Sequence, residues 1–308
     1  MNTAEPTPAA DREHAPTPPA HSGKPESGCL DPAAVRDWAN LTLPETWPDR
    51  GRGGWPGRML RIFSHPFRRR SKVDLPEAVP GAEKIPAYAL LEFHHLPNGN
   101  YSRSLTRGYI TGFENAMLGE TRRVRTRMVE DLSGFRSILD IGCGGGQLVG
   151  ALAAEGRTDV WGLDPSPYLL KHAASDYPDG RFAQGIMEEI PFEAARFEAA
   201  TVVFVFHEVP PPYIRRGLAE IARVLKPGGK FLVAEPSPAH FRARLPQAVR
   251  RFGWRGLWFW SLARMVHEPY VRAWHALDFQ QEAHTHGLIA DTIDEGMPIK
   301  YWSFRKAG

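Results

Sequence analysis

A run of glycines behind a short apolar segment is the feature that most constrains how this chain can fold. The stretch from Leu139 to Leu148 reads LDIGCGGGQL and places four glycines in five positions. Glycine tolerates positive φ angles and lets a ligand approach the backbone, so such a run is typical of the turn between a buried strand and a helix. The pattern therefore predicts a ligand-binding turn at the carboxyl end of a strand.

Short apolar segments alternate with amphipathic segments from residue 136 onward, which is typical of a sheet covered by helices. The expected strands are 137–141, 159–164, 181–185, 199–206, 230–235, 288–293 and 299–305, and the expected helices are 146–156, 166–177, 213–225 and 274–286. The segment 199–206 is uniformly apolar, which favours a central strand buried on both faces. We therefore expect one α/β domain over 134–308, with an insertion at 236–273 after the fifth strand.

The part of the chain ahead of this pattern has a different composition. Residues 1–28 are rich in proline and poor in aromatic and β-branched residues, so we expect a disordered tail there. Residues 29–133 are expected to form an N-terminal extension with helices that cover the cofactor. Neither a signal peptide nor a spanning helix is recognisable, and the two cysteines, Cys29 and Cys143, suit a reducing compartment, so the expected location is cytoplasmic.

Positive charge is concentrated in two segments, although the formal net charge is only +3. The run from Arg50 to Lys72 holds eight Lys or Arg residues and no acidic residue. The stretch from His240 to Trp274 holds seven arginines, four tryptophans and one acid, Glu268. A solvated linker and a cap packed on the sheet are the simpler interpretations, and contact with an anionic surface or a peripheral membrane is the alternative.

Two familiar phosphate-binding loops can be tested against the glycine run. A nucleoside triphosphate loop needs Lys and then Ser or Thr after its glycines, whereas Gly146 is followed by Gln147 and Leu148. A dinucleotide fingerprint needs glycines at relative positions one, three and six, and counting from Gly142 the sixth position is Gln147. Both patterns fail, so neither a nucleoside triphosphate nor NAD is the expected ligand.

Two aspartates end neighbouring predicted strands. Asp140 lies two residues before Gly142, where a carboxylate would repel a pyrophosphate and attract a ligand with an ammonium or sulfonium group. Asp164 ends the second strand, where an acidic residue can accept hydrogen bonds from both ribose hydroxyls. Each aspartate alone could be a helix cap or a turn former, but the two together at this spacing indicate a nucleoside ligand with a cationic group.

Five motifs occur in series between Gly134 and Ser237: LDIGCGGGQ, GLDPSPYLL, GIMEEIPF, RFEAATVVFVFHEVP and IARVLKPGGKFLVAEP. In order and spacing they resemble the class I S-adenosylmethionine-dependent methyltransferases. The resemblance implies a Rossmann-like, seven-stranded mixed sheet with helices on both faces and an antiparallel last strand. It also implies S-adenosyl-L-methionine as methyl donor and S-adenosyl-L-homocysteine as product.

The resemblance assigns cofactor-binding positions residue by residue. The implied set is Asp140, Gly142, Cys143, Gly144, Asp164, Pro165, Ser166, Met187, Val203 and Phe204. Asp164 would hold the ribose, and the residues of the glycine run would surround the methionyl part. Ile186 departs from the family, which often has an acidic residue at this point for the adenine amino group, so Met187 would contact the adenine instead. Cys143 is expected to be a small residue in a tight turn.

His207 and Glu208 follow the fourth strand, where the acceptor would meet the methyl group. His207 is expected to accept a proton from the acceptor near neutral pH, although a histidine leaving a strand can also simply bond a backbone carbonyl. Tyr101 and Tyr109 are expected to reach the site from the N-terminal extension. The histidines lack the cysteine or carboxylate spacing typical of zinc, so no metal site is expected.

The predicted function is methyl transfer to a small metabolite that is aromatic or lipid-like. One alternative is an RNA or protein methyltransferase, which only the Arg50 to Lys72 run favours. Another is a protein that binds the cofactor or a partner without turnover. DNA is not an expected partner, and the sequence does not indicate an oligomeric state.

Overall fold

The computed structural model describes residues 29–30, 35–49, 73–266 and 268–308. The predicted tail at 1–28 and the basic run at 50–72 lie outside these residues. Across the part of the chain that is described, every helix is too short or too polar to cross a membrane.

Seven strands form one mixed sheet: β1 Ser137–Ile141, β2 Asp159–Asp164, β3 Arg181–Gln184, β4 Phe197–Val203, β5 Leu225–Pro236, β6 Leu288–Asp294 and β7 Ile299–Lys306. Their order is β3-β2-β1-β4-β5-β7-β6. The first five strands pair in parallel, and β7 pairs antiparallel with both β5 and β6. The expected mixed sheet with an antiparallel last strand is confirmed.

Two helices precede the sheet and the others connect its strands. In chain order they are α1 Leu105–Ala116, α2 Glu120–Asp131, α3 Gln147–Ala154, α4 Pro167–Asp176, α5 Pro211–Val224, α6 Pro238–Arg242, α7 Leu245–Met265, α8 Val271–Ala276 and α9 Phe279–Thr285. The helices α6 and α7 lie within the expected insertion after β5. The long helix α7 is kinked at Gly253, whose φ is 59°.

The central position of β4 follows from its apolar sequence. Phe197, Ala199, Ala200 and Val202 are fully buried, as expected for a strand covered on both faces. The prediction that the strand continues to residue 206 was wrong. The strand ends at Val203 because the next residue, Phe204, takes a left-handed φ of 59°, which breaks the extended backbone.

Helix boundaries follow capping residues. Ser166 caps α4 by accepting a hydrogen bond from the backbone N–H of Leu169, and Pro167 occupies the first turn. The prediction of one helix over 274–286 was wrong, because Asp278 accepts a hydrogen bond from the N–H of Gln281 and starts a new helix, α9. This topology brings the carboxyl ends of β1, β2, β4 and β5 to one edge of the sheet, with α1 and α7 above it.

Candidate active site

A cavity of about 410 Å³ opens at the carboxyl edge of the sheet. All twelve residues that the sequence predicts for the site line it: Asp140, Gly142, Cys143, Gly144, Asp164, Pro165, Ser166, Met187, Val203, Phe204, His207 and Glu208. Tyr101 and Tyr109 of the N-terminal extension line it as well. The fold thus brings the predicted residues together, while their roles in binding and catalysis stay predictions.

The glycine turn packs tightly at its start. The backbone N–H groups of Gly142 and Cys143 both donate to the carbonyl of Leu163, at 2.7 and 3.0 Å. Gly142 has a φ of 70°, and a Cβ there would lie 2.3 Å from a methyl carbon of Val205. Burial raises the pKa of the Cys143 thiol well above its ordinary value, so this cysteine is suited to packing and not to reaction.

The second glycine of the turn meets open space instead. Gly144 also has a positive φ, 53°, but a Cβ built on it would have no heavy atom within 4 Å. Its backbone N–H donates to Asp164 Oδ2 at 3.0 Å. The turn therefore presents bare backbone to the cavity at Gly144, which leaves room for a ligand to lie against it.

Asp164 joins the glycine turn to the start of α4. One carboxylate oxygen accepts from Gly144, and the other accepts from the N–H of Ser166 at 2.8 Å. Burial raises the pKa of Asp164 to about 6, because the two backbone hydrogen bonds offset only part of the cost of burying the charge. Each oxygen retains acceptor capacity for a ligand hydroxyl, as the predicted ribose contact requires.

Asp140 lies at the carboxyl end of β1, opposite Thr201 of β4. The hydroxyl of Thr201 donates to Asp140 Oδ1 at 2.7 Å. Burial, with a smaller contribution from Asp164, raises the pKa of Asp140 to about 7. Two buried carboxylates on the same side of a cavity are stabilised by a cationic ligand, which fits the ammonium and sulfonium groups of the expected cofactor.

The cavity wall beyond the glycine turn is apolar. The Phe204 ring packs edge-on against Phe113 of α1, with ring centroids 5.4 Å apart. Met187 is buried against Gly217 of α5, where a Cβ would lie 2.7 Å from the Met187 sulfur. Ile186 lines the cavity but is apolar, so the adenine amino group would lack the carboxylate partner that the family often provides.

His207 is held by a residue that the sequence analysis did not single out. Glu235, fully buried near the end of β5, accepts a hydrogen bond from His207 Nδ1 at 2.7 Å. The same carboxylate accepts from the backbone N–H groups of Val205 and Phe206, at 2.8 and 2.7 Å. Burial of the His207 ring is the largest influence and opposes its charge, but Glu235, Glu268 and Glu208 together outweigh it and raise the pKa of His207 to about 9.

Glu208 belongs to a second cluster at the same end of the cavity. His94 from the extension lies between two carboxylates, with Nε2 at 2.7 Å from Glu208 Oε1 and Nδ1 at 2.9 Å from Glu268 Oε1. Burial disfavours the His94 charge, yet Glu268 and Glu208 raise its pKa well above the ordinary value. His207 Nε2 lies 3.9 Å from the same oxygen of Glu268, which links the two clusters.

One ligand atom from each of His94, Glu208 and Glu268 lies within 4.8 Å of the others, a spacing that could hold a metal ion. Both ring nitrogens of His94 are already engaged with carboxylates. We therefore interpret the cluster as a hydrogen-bonded ion triad. The absence of a metal site stays a prediction.

The roof over this end of the cavity comes from the insertion. Phe241 of α6 and Phe259, Leu262 and Val266 around the end of α7 all line it. Pro236 and Pro298 lie at the sheet below. This end of the cavity thus combines an apolar roof with the polar groups of His207, Glu208 and Glu268.

Three residues of this end were missed as site residues, and each had a weak signal in the sequence. Glu235 is an acid inside the apolar run KFLVAEP, where a buried charge needs a partner. Glu268 is the only acid in the Trp- and Arg-rich segment, and His94 belongs to a histidine pair. Their partners lie far away in sequence, so only the fold could join them.

Comparison with known proteins agrees with this geometry. Residues 138–229 match a family model described as a methyltransferase domain. An uncharacterized methyltransferase of Synechocystis is 36% identical over 104 residues, which are 34% of this chain and 49% of the relative. A demethylmenaquinone methyltransferase of Renibacterium salmoninarum is 39% identical over 127 residues, which are 40% of this chain and 52% of the relative. The chain spans about half the length of these two curated relatives.

Among solved structures, a TehB-like S-adenosylmethionine-dependent methyltransferase of Corynebacterium glutamicum superposes with a TM-score of 0.47 and 20% identity. That superposition covers 66% of this chain and 98% of the other. The family model spans β1 to the start of β5, which includes both buried aspartates and the glycine turn. Over residues 138–229 the chain is therefore similar to methyltransferase domains.

Proposed function

We propose that the chain transfers a methyl group from S-adenosyl-L-methionine to a small, aromatic or lipid-like metabolite. The observation that carries this proposal is the cavity itself. Its carboxylate end is suited to a cationic nucleoside, and its other end offers two histidine–carboxylate clusters under an apolar roof. A donor and an acceptor could lie end to end between them, as an in-line displacement requires.

At the donor end, the chain's own residues bind and orient. Asp164 would accept from the ribose hydroxyls, Asp140 would face the ammonium group, and Gly144 would let the ligand approach the backbone. Val203 and Phe204 would close the wall beside the methionyl part. When bound, the cofactor would supply an electrophilic methyl group on its sulfonium. Phe113 and Phe204 would exclude water from that region, since their rings pack against each other.

At the acceptor end, we assign His207 as proton acceptor and Glu235 as the residue that positions it. The hydrogen bond from Nδ1 to Glu235 orients the ring, and Nε2, which lies 3.9 Å from Glu268 Oε1, is the nitrogen that would meet an acceptor hydroxyl. With a pKa of about 9, His207 is mostly protonated at neutral pH in the ligand-free protein. A cationic ligand in the cavity would lower this pKa and increase the neutral fraction of the ring.

The acceptor class follows from the walls around His207. Phe241, Phe259, Leu262 and Val266 offer an apolar surface that favours a ring or an acyl chain. His207 and Glu208 offer hydrogen bonds only at one end. A matched relative carries the name demethylmenaquinone methyltransferase, which supports an apolar acceptor with a polar reacting group.

Calorimetric titration with S-adenosylmethionine, S-adenosylhomocysteine and NAD tests the donor. We expect micromolar binding of the first two and none of NAD, and binding of NAD alone would overturn the proposal. Turnover is then tested with isotope-labelled donor against pools of quinone precursors, RNA and protein. Transfer only to RNA or protein would favour that alternative, and binding without transfer to any pool would indicate a non-catalytic protein.

A further inference from the structure

Exposed apolar side chains cluster on the helix that roofs the cavity. Among the described residues, seven large hydrophobic side chains are classed as exposed, and five of them lie on α7: Val249, Trp254, Leu257, Trp258 and Met265. Trp254 is 66% exposed, and Leu257 is 46% exposed. Soluble proteins normally scatter such side chains singly, so a cluster on one helix indicates a contact surface.

Helical geometry places four of these side chains on one face. Trp254, Leu257, Trp258 and Met265 follow the kink at Gly253 and recur at spacings of three, four and seven residues. At 100° per residue they fall within one stripe along the outside of the helix. Phe259, Leu262 and Val266 point to another side and line the cavity. The same helix therefore presents one apolar side to the cavity and another to solvent.

The surroundings of this stripe are strongly basic. Arg244, Arg250 and Arg251 are exposed on the same helix or at its N-cap. The segment 237–266 contains no aspartate or glutamate at all. An exposed apolar stripe on a helix that itself carries exposed arginines and no acidic residue is complementary to an apolar layer beneath negative headgroups.

The helix is also fixed to the rest of the domain, so the stripe is a rigid surface. Trp258 Nε1 donates to the carbonyl of Ala116 at the end of α1, at 2.8 Å. Arg255 pairs with Glu120 at the start of α2. These contacts hold α7 against the N-terminal extension along the edge of the stripe at Trp258, and Trp254 and Leu257 stay exposed.

From this arrangement we infer that the outer face of α7 docks on an anionic lipid surface. RNA is a poorer partner for it, because Val249, Leu257 and Met265 offer no ring for base stacking, whereas a bilayer buries aliphatic and indole groups alike. The docked face is the outside of the cavity roof, so a lipid-like acceptor would be gathered next to the site. This last consequence rests on the proposed function, and the docking itself does not.

The test uses the full chain with vesicles of phosphatidylcholine, prepared with and without phosphatidylglycerol. Cosedimentation should show binding to the anionic vesicles, and high salt should weaken it. The double variants Trp254→Ser/Leu257→Ser and Arg250→Glu/Arg251→Glu should each bind about tenfold more weakly. The matched control is Ile289→Ser/Ile293→Ser, which removes two similarly exposed apolar side chains from β6 and should bind like the parent.

Titration with S-adenosylhomocysteine is run on every variant, and it separates this inference from the proposed function. Cofactor binding without vesicle binding would overturn the docking and leave the function standing. If the parent protein binds vesicles, both α7 variants lose that binding, and the cofactor does not bind, the docking is supported and the proposed function is refuted. If the α7 variants bind vesicles as the parent does, another surface is responsible for vesicle binding. If the protein binds RNA in a salt-sensitive way and does not bind vesicles, the partner is RNA. Either result would overturn the inference.

Discussion

Glu235 Oε2 lies 2.7 Å from His207 Nδ1, and both side chains are buried next to the acceptor end of the cavity. Because the carboxylate also accepts two backbone N–H groups from the loop after β4, it holds the ring and the loop in one arrangement. A histidine held in this way has a defined tautomer and a raised pKa, and both properties can be measured.

The kcat of methyl transfer should rise with pH over a range that ends below about 9, since only neutral His207 can accept a proton and the bound cationic cofactor lowers its pKa from the ligand-free value of about 9. Glu235→Gln should move this limb of the kcat profile to lower pH, because the carboxylate that raises the pKa is removed. His207→Gln should abolish the limb and lower kcat by about a hundredfold while cofactor affinity stays unchanged. Equal turnover in His207→Gln would make the residue structural.

The free energy of unfolding should also depend on pH because of the raised pKa of His207. A group whose pKa is higher in the folded state stabilises the fold below its unfolded pKa, and the stabilisation is lost as pH rises through the folded pKa. For His207 that window runs from about 6.5 to about 9. The free energy of unfolding should fall there by roughly 3 kcal/mol at most. Urea titrations at several pH values would show this, and the fall should be smaller in His207→Gln, where His94, whose pKa is also raised, still contributes to it.

Cofactor affinity should increase between pH 5 and pH 8, a range set by the raised pKa values of about 7 for Asp140 and about 6 for Asp164. A cationic ligand prefers the ionised carboxylates, so binding should release protons. Calorimetry in two buffers with different ionisation enthalpies measures that release. Asp140→Asn should reduce it, and affinity independent of pH would contradict the placement of the ligand's cation.

Asp164→Ala should weaken cofactor binding at least tenfold, because hydrogen bonds to a charged group contribute about 1.5 to 3 kcal/mol. The matched control is Asp159→Ala, at the opposite end of β2. Asp159 pairs with Arg196 at 2.8 Å and does not line the cavity. Unchanged affinity in Asp164→Ala would remove the ribose assignment.

The two glycines of the turn should respond differently to alanine. Gly142→Ala should lower the free energy of unfolding by about 1 kcal/mol more than Gly144→Ala, because only its Cβ would clash with Val205. Gly144→Ala should mainly weaken cofactor binding, by about tenfold, since its Cβ would enter the open space of the cavity. Thermal melts and calorimetry separate the two effects, and unaltered affinity in Gly144→Ala would mean that the ligand does not cross this turn.

The donor half of the site was predictable because its signals are local. Strand, glycine turn and aspartate are adjacent in the sequence at both Asp140 and Asp164, and parallel strands bring their carboxyl ends together. Four of the five strands that carry or flank these residues were expected within three residues of their observed limits, whereas β5 begins at Leu225, five residues before its predicted start. The exact end of β4 was not, because the left-handed Phe204 depends on tertiary contacts: its N–H donates to the Ala234 carbonyl, and the N–H of Val205 donates to Glu235.

The acceptor half was only partly predictable. His207 and Glu208 follow a strand and could be found from that position. Glu235 is 28 residues from His207, His94 is 114 residues from Glu208, and Glu268 is 174 residues from His94. Their contacts depend on how the extension and the insertion pack on the sheet, and the hydrophobic periodicity of the sequence does not predict that packing. For Glu235 and Glu268, the sequence signal is a single acidic residue within an apolar or a basic stretch.

The triad of Glu208, His94 and Glu268 joins three separate parts of the chain. Only Glu208 lies within the segment 138–229 that matches the family model, whereas His94 comes from the extension and Glu268 from the insertion. Under the proposed function, donor binding and acceptor choice would therefore be encoded in different stretches of the chain. A chimera in which the extension and the insertion are both replaced by those of another methyltransferase should acquire a new acceptor and keep its cofactor. Replacing only one of the two segments would remove either His94 or Glu268 and leave the triad incomplete.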